Sequence, residues 1–382
     1  MAFDVPMFSD KLRRYCSQLQ VTADTVAAGT GLLCERVEML MAGRGEPSGD
    51  EVLILADYFK CDFKFFISNE RLAPFEQTES LFRRHGDLLS REDRWAVQEF
   101  LFLCECEEFL LQSTPGFTAR APFSFAKSGR FCKRHGQDAA AALRRHLGYA
   151  PHAVPRDVFT DFRRIGIHVF RRRLGQSSIS GLFVRHPVAG PCALINFSED
   201  IYRQRFSAAH EAAHAVLDEG DDCSVSFSRW NPRDLSEVRA NAFASQYLMP
   251  PDFLTRIPGH RTWPPDQFLR WAHELRVNPE PFAYALKDAG LIGESRVPPL
   301  RDLKIPVSEK VDPEIPANLS EQNRERRKAL LERGLCSSYA NLCFEAYSRG
   351  VISTGRLAET LLCGTTELPA LAALFGRSLS HG

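Results

Sequence analysis

Residues 206–217 read Phe206-Ser-Ala-Ala-His210-Glu211-Ala-Ala-His214-Ala-Val-Leu217. The pattern is helical and neither Gly nor Pro interrupts it, so one packed helix is expected here. Side chains four apart on a helix lie on one face, so His210 and His214 present their imidazoles in the same direction. That spacing lets both bind one zinc ion from a rigid element, and Glu211, next after the first histidine, reaches a water at the metal rather than the metal itself. Zinc lowers the pKa of such a water toward neutrality, and a carboxylate in this place acts as general base while the water attacks a peptide carbonyl, then returns the proton to the leaving amine. Chance yields His-Glu-x-x-His in roughly two chains per hundred of this length and composition, so the pattern alone carries moderate weight. Its surroundings add to it. Ala208, Ala209, Ala212 and Ala213 make the helix a packed one, where two imidazoles need partners.

A catalytic zinc takes a third protein ligand and keeps its fourth position open. Glu237 is the chosen candidate. It opens the next expected helix, which starts near Asp234 or Ser236 and ends at Pro250-Pro251, and an antiparallel neighbour can bring its carboxylate to the histidine pair. Asp218, Glu219, Asp221 and Asp222 are nearer in sequence, but they flank Gly220 in a polar loop and read as solvated charges. Tyr202, Arg205, Tyr247, His186 and His260 are unranked candidates for stabilising an oxyanion.

Working outward, three β-like runs precede the histidine helix, at Ile165–Phe170, Gly181–Val184 and Ala193–Phe197. Helices are expected at 136–147, from Pro155 through Phe162 with Asp157 near its start, at 265–276 and at 279–290. The triplet Arg171-Arg172-Arg173 reads as a solvated strand edge. Residues 9–68 read as five short helices, with Phe8, Leu12 and Tyr15 forming one apolar stripe and Ser48 capping the helix of Val52, Leu55 and Phe59. The stretch 75–112 is helical again, and Leu101, Phe102, Cys104, Glu105, Phe109 and Leu110 make a nearly all-round apolar helix of the kind buried between others. Five prolines in 297–319 suggest a linker or extended arm. The rest, to residue 376, is helical. The fold class is therefore α+β, mainly helical, with domains at 1–70, 129–296 and 320–382, a helical connector at 71–128 and a Pro-rich linker at 297–319.

A chain of 382 residues is too long for one ordinary core. No apolar run reaches the roughly 18 residues of a membrane helix, and no secretory leader is apparent at the N-terminus, so the expected location is cytoplasmic and no membrane partner is expected. Eleven cysteines without a Cys-x-x-Cys pair argue against a disulfide framework and for small buried residues. Residues 1–68 hold seven basic positions against ten acidic ones, a poor footprint for a phosphate backbone. Arg36 and Arg44 are the positions there that could touch DNA, whereas Glu35 and Glu38 would repel it.

The run from Arg205 through His214, then Glu237-x-x-Ala240-Asn241-x-Phe243-Ala244 and Leu248-Met249-Pro250, resembles the ImmA/IrrE family of metallopeptidases. Ser180-Gly181 and Ile195-Asn196 match it too, and the likeness covers roughly residues 150–292. It implies a zincin-like α+β domain with a small sheet, zinc held by His210, His214 and Glu237, Glu211 as general base, and Zn2+ as cofactor with Mn2+ able to support activity. Residues 9–68, with their Gly-x-Pro-Ser break at 45–48, resemble the XRE helix-turn-helix domain, a common companion in that family. The tail is weakly similar to helical segments of related regulators and antitoxins. The function these resemblances imply is a narrowly selective zinc metallopeptidase that cleaves a repressor or antitoxin protein to control stress-response, mobile-element or toxin–antitoxin genes. The alternative is a non-proteolytic regulator in which the metal fold senses a ligand or partner and the first domain binds DNA or protein; a homodimer is compatible with either.

Overall fold

The computed structural model describes residues 3–68, 81, 89–117, 120–127, 131–175, 178–218, 223–227, 234–259 and 262–379. Two compact units divide the chain, Met1–Glu105 and Cys106–Gly382.

Five helices open the first unit: α1 (Val5–Gln18), α2 (Ala23–Thr30), α3 (Cys34–Met41), α4 (Gly49–Phe59) and α5 (Phe63–Ile67). Their starts follow from local chemistry. Asp4, Thr22 and Asp62 accept backbone N–H groups, and Ser48 forms a reciprocal capping box with Glu51. The stripe of Phe8, Leu12 and Tyr15 is buried with Val37, Leu40, Leu55, Phe59 and Phe66, and Tyr15 stacks on Phe59 with ring centroids 5.0 Å apart. Helix α6 (Arg91–Ser113) follows; of the helical stretch expected over 75–112, most of the part before it lies outside the described residues.

In the second unit, β1 (His168–Arg172), β2 (Ile179–His186), β3 (Gly190–Asn196) and β4 (Cys223–Phe227) form a mixed sheet in the order β1-β3-β2-β4, with β1 parallel to β3 and the other pairs antiparallel. Three of these strands match the expected runs, and β4 was not among them. Helices α7 (Cys132–His146), α8 (Val158–Arg164), α9 (Ile201–Leu217) and α10 (Leu235–Leu248) build a core with one face of the sheet, where Val169, Ala193 and Ile195 are buried with Phe162, Ala209, Ala213 and Phe243. Helix α8 starts after Asp157, which caps it by accepting from Thr160 N, and not at Pro155 as expected. At Gly136 the backbones of α7 and α10 touch: a Cβ there would lie 2.2 Å from Arg239 O, closer than any side chain tolerates. Helices α11 (Pro251–Leu254), α12 (Pro265–Leu275) and α13 (Pro279–Asp288) complete this core.

The opposite face of β1 is covered as well. Phe170 packs edge-on against Tyr339 of the C-terminal helices, centroids 5.4 Å apart, and His168 meets Glu107 and Glu108 of α6. The outer edge of β1 is sealed by the same chain: Arg173 N donates to Glu332 O, and Arg172 bridges Arg333. Of the arginine triplet, Arg171 and Arg172 are therefore buried and only Arg173 keeps a solvated side chain. Arg171 is 2% exposed, and it pairs with Asp312 at 2.8 Å and Glu314 at 2.7 Å while donating to Gln204 of α9. Burying a guanidinium requires such partners, and the Pro-rich stretch supplies them. That stretch holds the short helix α14 (Val297–Arg301) and then runs against the second unit as a strap, where Lys310 pairs with Asp200, the N-cap of α9. Helices α15 (Glu321–Glu332), α16 (Ser337–Ser348), α17 (Thr354–Thr360) and α18 (Leu368–Leu374) end the fold.

Candidate metal centre

Helix α9 begins where Asp200 accepts from Tyr202 N and Arg203 N, and it is buried along nearly its whole length between sheet and α10. His210 and His214 therefore leave one face of a helix that cannot turn. On α10, Asp234 caps the first turn and puts Glu237 opposite them. His210 Nε2 and His214 Nε2 are 3.2 Å apart, and the Glu237 oxygens lie 3.3 Å from His210 Nε2 and 3.4 Å from His214 Nε2. Two ligand atoms about 2.0–2.1 Å from a tetrahedral ion sit about 3.3 Å apart, so the three donors already have the edges of a tetrahedral face. Among the described residues this is the one trio of His, Cys, Asp or Glu ligand atoms within 4.8 Å of one another. Two imidazoles and a carboxylate are the donor set of an open zinc site.

The outer ring nitrogens settle the tautomers. His210 Nδ1 donates to Asn241 Oδ1 at 3.1 Å, and His214 Nδ1 donates to Asp218 Oδ2 at 2.8 Å, so in both rings Nε2 is the nitrogen left to face the trio. Asp218 is held in turn by Arg239. It is buried and is not the solvated charge its polar neighbourhood suggested; four residues after His214, it is stacked on the same helical face. Glu219, Asp221 and Asp222 lie outside the described residues. Burial pushes His214 down, but Asp218 and Glu237 outweigh it and raise it to about 10. Against its own desolvation, Glu237 is held well below the usual carboxylate range by the two imidazoles. A cation binding here displaces a proton.

Glu211 is fully buried and neither of its oxygens has a hydrogen-bond partner in the structure. Burial raises its pKa, opposed by the two imidazoles and by the Ser226 hydroxyl, which is near it without making a hydrogen bond of good geometry. A carboxylate orphaned inside a protein is expensive, and it persists where something other than stability uses it. It lies over Gly181 of β2, where a Cβ would come within 2.8 Å of Glu211 Oε1.

The expected oxyanion candidates are engaged elsewhere. Tyr202 Oη pairs with His273 Nδ1, Arg205 donates to the carbonyls of Pro155, Arg156 and Arg276, and Tyr247 donates to Asp161. His186 Nδ1 accepts from Val188 N and Ala189 N in the β2–β3 turn, and His260 lies outside the described residues. Arg36 donates to both Glu51 oxygens, at 2.7 and 2.8 Å, and to Glu46 O, whereas Arg44 is exposed. Sequence reasoning missed the supporting roles of Asp218, Asn241 and Arg239, and strand β4. Two signals were available: the i+4 step from His214 and the alternation Cys223-Ser-Val-Ser-Phe227.

Residues 162–287, about a third of the chain, match the peptidase M78 family model, described as the IrrE N-terminal-like domain. The matched span holds all four strands, α9 and α10, and it supports a metallopeptidase-type domain of ImmA/IrrE type, a family whose cofactor is a metal, usually zinc. The five-helix module lies outside the match. No curated protein matches the chain.

Proposed function

We propose that the second unit is a zinc-dependent metallopeptidase, and that its substrate is a repressor or antitoxin protein cut at few sites to release stress-response, mobile-element or toxin–antitoxin genes. One observation carries the catalytic part: Glu211, buried and unpartnered, stands beside three donors that already have tetrahedral spacing. His210, His214 and Glu237 would hold the ion; when bound, it supplies Lewis acidity and a lowered pKa for water. Glu211 takes the proton of the attacking water and returns it to the departing amine nitrogen. Asn241 and Asp218 keep the imidazoles in the tautomer that leaves Nε2 free.

The same reading accounts for β4. It is the last strand of the sheet, paired among the described residues with β2 alone. An extended peptide added along its outer edge would gain backbone hydrogen bonds with little demand on sequence. Selectivity then falls to contacts beyond the scissile bond, and the five-helix module is the proposed site of partner recognition.

The test incubates wild type and Glu211→Gln, each with zinc or manganese, with the repressor or antitoxin encoded beside the gene. Discrete fragments from wild type alone support the reading. If the partner stays whole while its complex with the chain or with DNA changes with metal, the protein is a regulator that uses the metal fold for binding.

A further inference from the structure

Strand β4 brings a second serviceable group to the orphaned carboxylate. Ser226 pairs directly with Gly181 across β2 and β4, so the two residues project to the same side of the sheet. That side holds Glu211, because a Cβ on Gly181 would lie 2.8 Å from Glu211 Oε1 and 3.2 Å from Glu211 Cγ. Directly paired residues have Cβ positions about 4.5–5.5 Å apart, so rotation of the Ser226 hydroxyl sweeps it to within hydrogen-bonding reach of that carboxylate. Ser226 is 5% exposed, and its Oγ, like both Glu211 oxygens, has no partner in the structure. A buried donor without an acceptor thus faces a buried acceptor without a donor. Glycine at 181 leaves the space between α9 and the sheet in which the carboxylate fits.

We propose that Ser226 is a positioning residue for Glu211: its hydroxyl donates to one carboxylate oxygen and turns the other toward the three metal donors. A carboxylate hanging free over a glycine can rotate about its last bond, and some of its orientations aim no lone pair at an attacking water. One fixed hydrogen bond removes that freedom without neutralising the base. Ser226 touches no reacting atom in this scheme and acts through Glu211.

The kinetic consequence rests on the peptidase reading; the pairing does not. Melting of the metal-free full chain therefore tests the pairing first. Ser226→Ala should lower the melting temperature by about 2–6 °C, the range for a lost hydrogen bond to a charged group in a unit of this size. It should have no such effect in a Glu211→Leu background. An orphan hydroxyl predicts the opposite sign, because its removal relieves a buried unsatisfied group. Ser226→Thr keeps the hydroxyl and should behave as wild type in the same measurement. In cleavage assays Ser226→Ala should reduce kcat at least tenfold, with KM and metal content unchanged, and Ser226→Thr should restore kcat. A melting temperature that rises, or falls equally in both backgrounds, overturns the proposal whatever the activity. If the wild type cuts nothing but the melting effect depends on Glu211, the pairing stands and the peptidase reading falls.

Discussion

His210 and His214 are chemically identical side chains in different electrostatic settings, and the difference lies on their outer nitrogens. His210 donates to the neutral amide of Asn241, His214 to the buried carboxylate of Asp218. A carboxylate behind an imidazole raises its basicity and fixes its ring, and loss of such a partner typically weakens metal binding by about 10–100-fold. Asp218→Asn should fall in that range, measured by competition with a chromophoric chelator, while Glu237→Ala, which deletes a donor outright, should drop the metal-to-protein ratio further. Equal affinity in Asp218→Asn and wild type would mean that the helix positions His214 without the charge of Asp218. Gly181→Ala is the steric counterpart. Its new methyl would displace the Glu211 carboxylate, so cleavage should fall by at least tenfold with metal content retained; a fully active variant would show that Glu211 has room the geometry denies it.

At the scale of elements, the strap and α6 are fastened to the sheet by charge, and each fastening makes a prediction. The Glu314 side chain is 5% exposed and joins the side chains of Arg163, 10% exposed, and Arg171, 1% exposed. Glu314→Gln leaves Arg163 without its carboxylate while Asp312 still serves Arg171, so the expected loss is about 3 kcal/mol, the lower end for breaking a buried pair. A urea midpoint close to wild type would mean that water reaches the arginines. On the other side of β1, burial alone would push His168 down, but Glu107 and Glu108 outweigh it and raise it to about 10. Its folded pKa is above its ordinary value of 6.5, so its contribution is complete below that pH and is lost as pH rises toward about 10. Metal-free wild type should therefore lose more stability than metal-free His168→Gln between pH 6.5 and 9.5, a comparison in which His214 cancels; parallel curves would place the proton elsewhere. Such fastenings were hard to read beforehand. Helical and strand periodicity located α9, α10 and three strands, and the i, i+4 histidines with Glu237 gave the trio, because these signals are local. Arg171 and Glu314 are 143 positions apart by their residue numbers, and no local pattern links a triplet of arginines to acids in a Pro-rich stretch. Asp218 was misread for a different reason, since composition called its loop solvated, while its place at the cap that ends α9, four residues after His214, turns its carboxylate onto that ring.

For the whole molecule, a formal charge of zero means that no long-range field gathers nucleic acid, and the acidic excess of residues 1–68 works against it locally. Within that module Arg36 spends its donors on Glu51 and Glu46, so α3 offers DNA little positive charge. The C-terminal helices have a more definite task. They seal the outer edge of β1 through the backbone at Glu332 and Arg333 and cover Phe170 with Tyr339. An unsealed strand edge beside an uncovered apolar face is a template for pairing with another chain. A chain ending at residue 319 keeps the strap, the trio and Glu211, yet exposes both features at once. It should bind metal but elute as larger, concentration-dependent species on size-exclusion chromatography, and a charge placed on the bared face by Phe170→Lys should reduce that association. If the shortened chain elutes as a single species of its own mass and melts with the full chain, the C-terminal helices are a separable module, and their role must be sought in partners rather than in protecting the sheet.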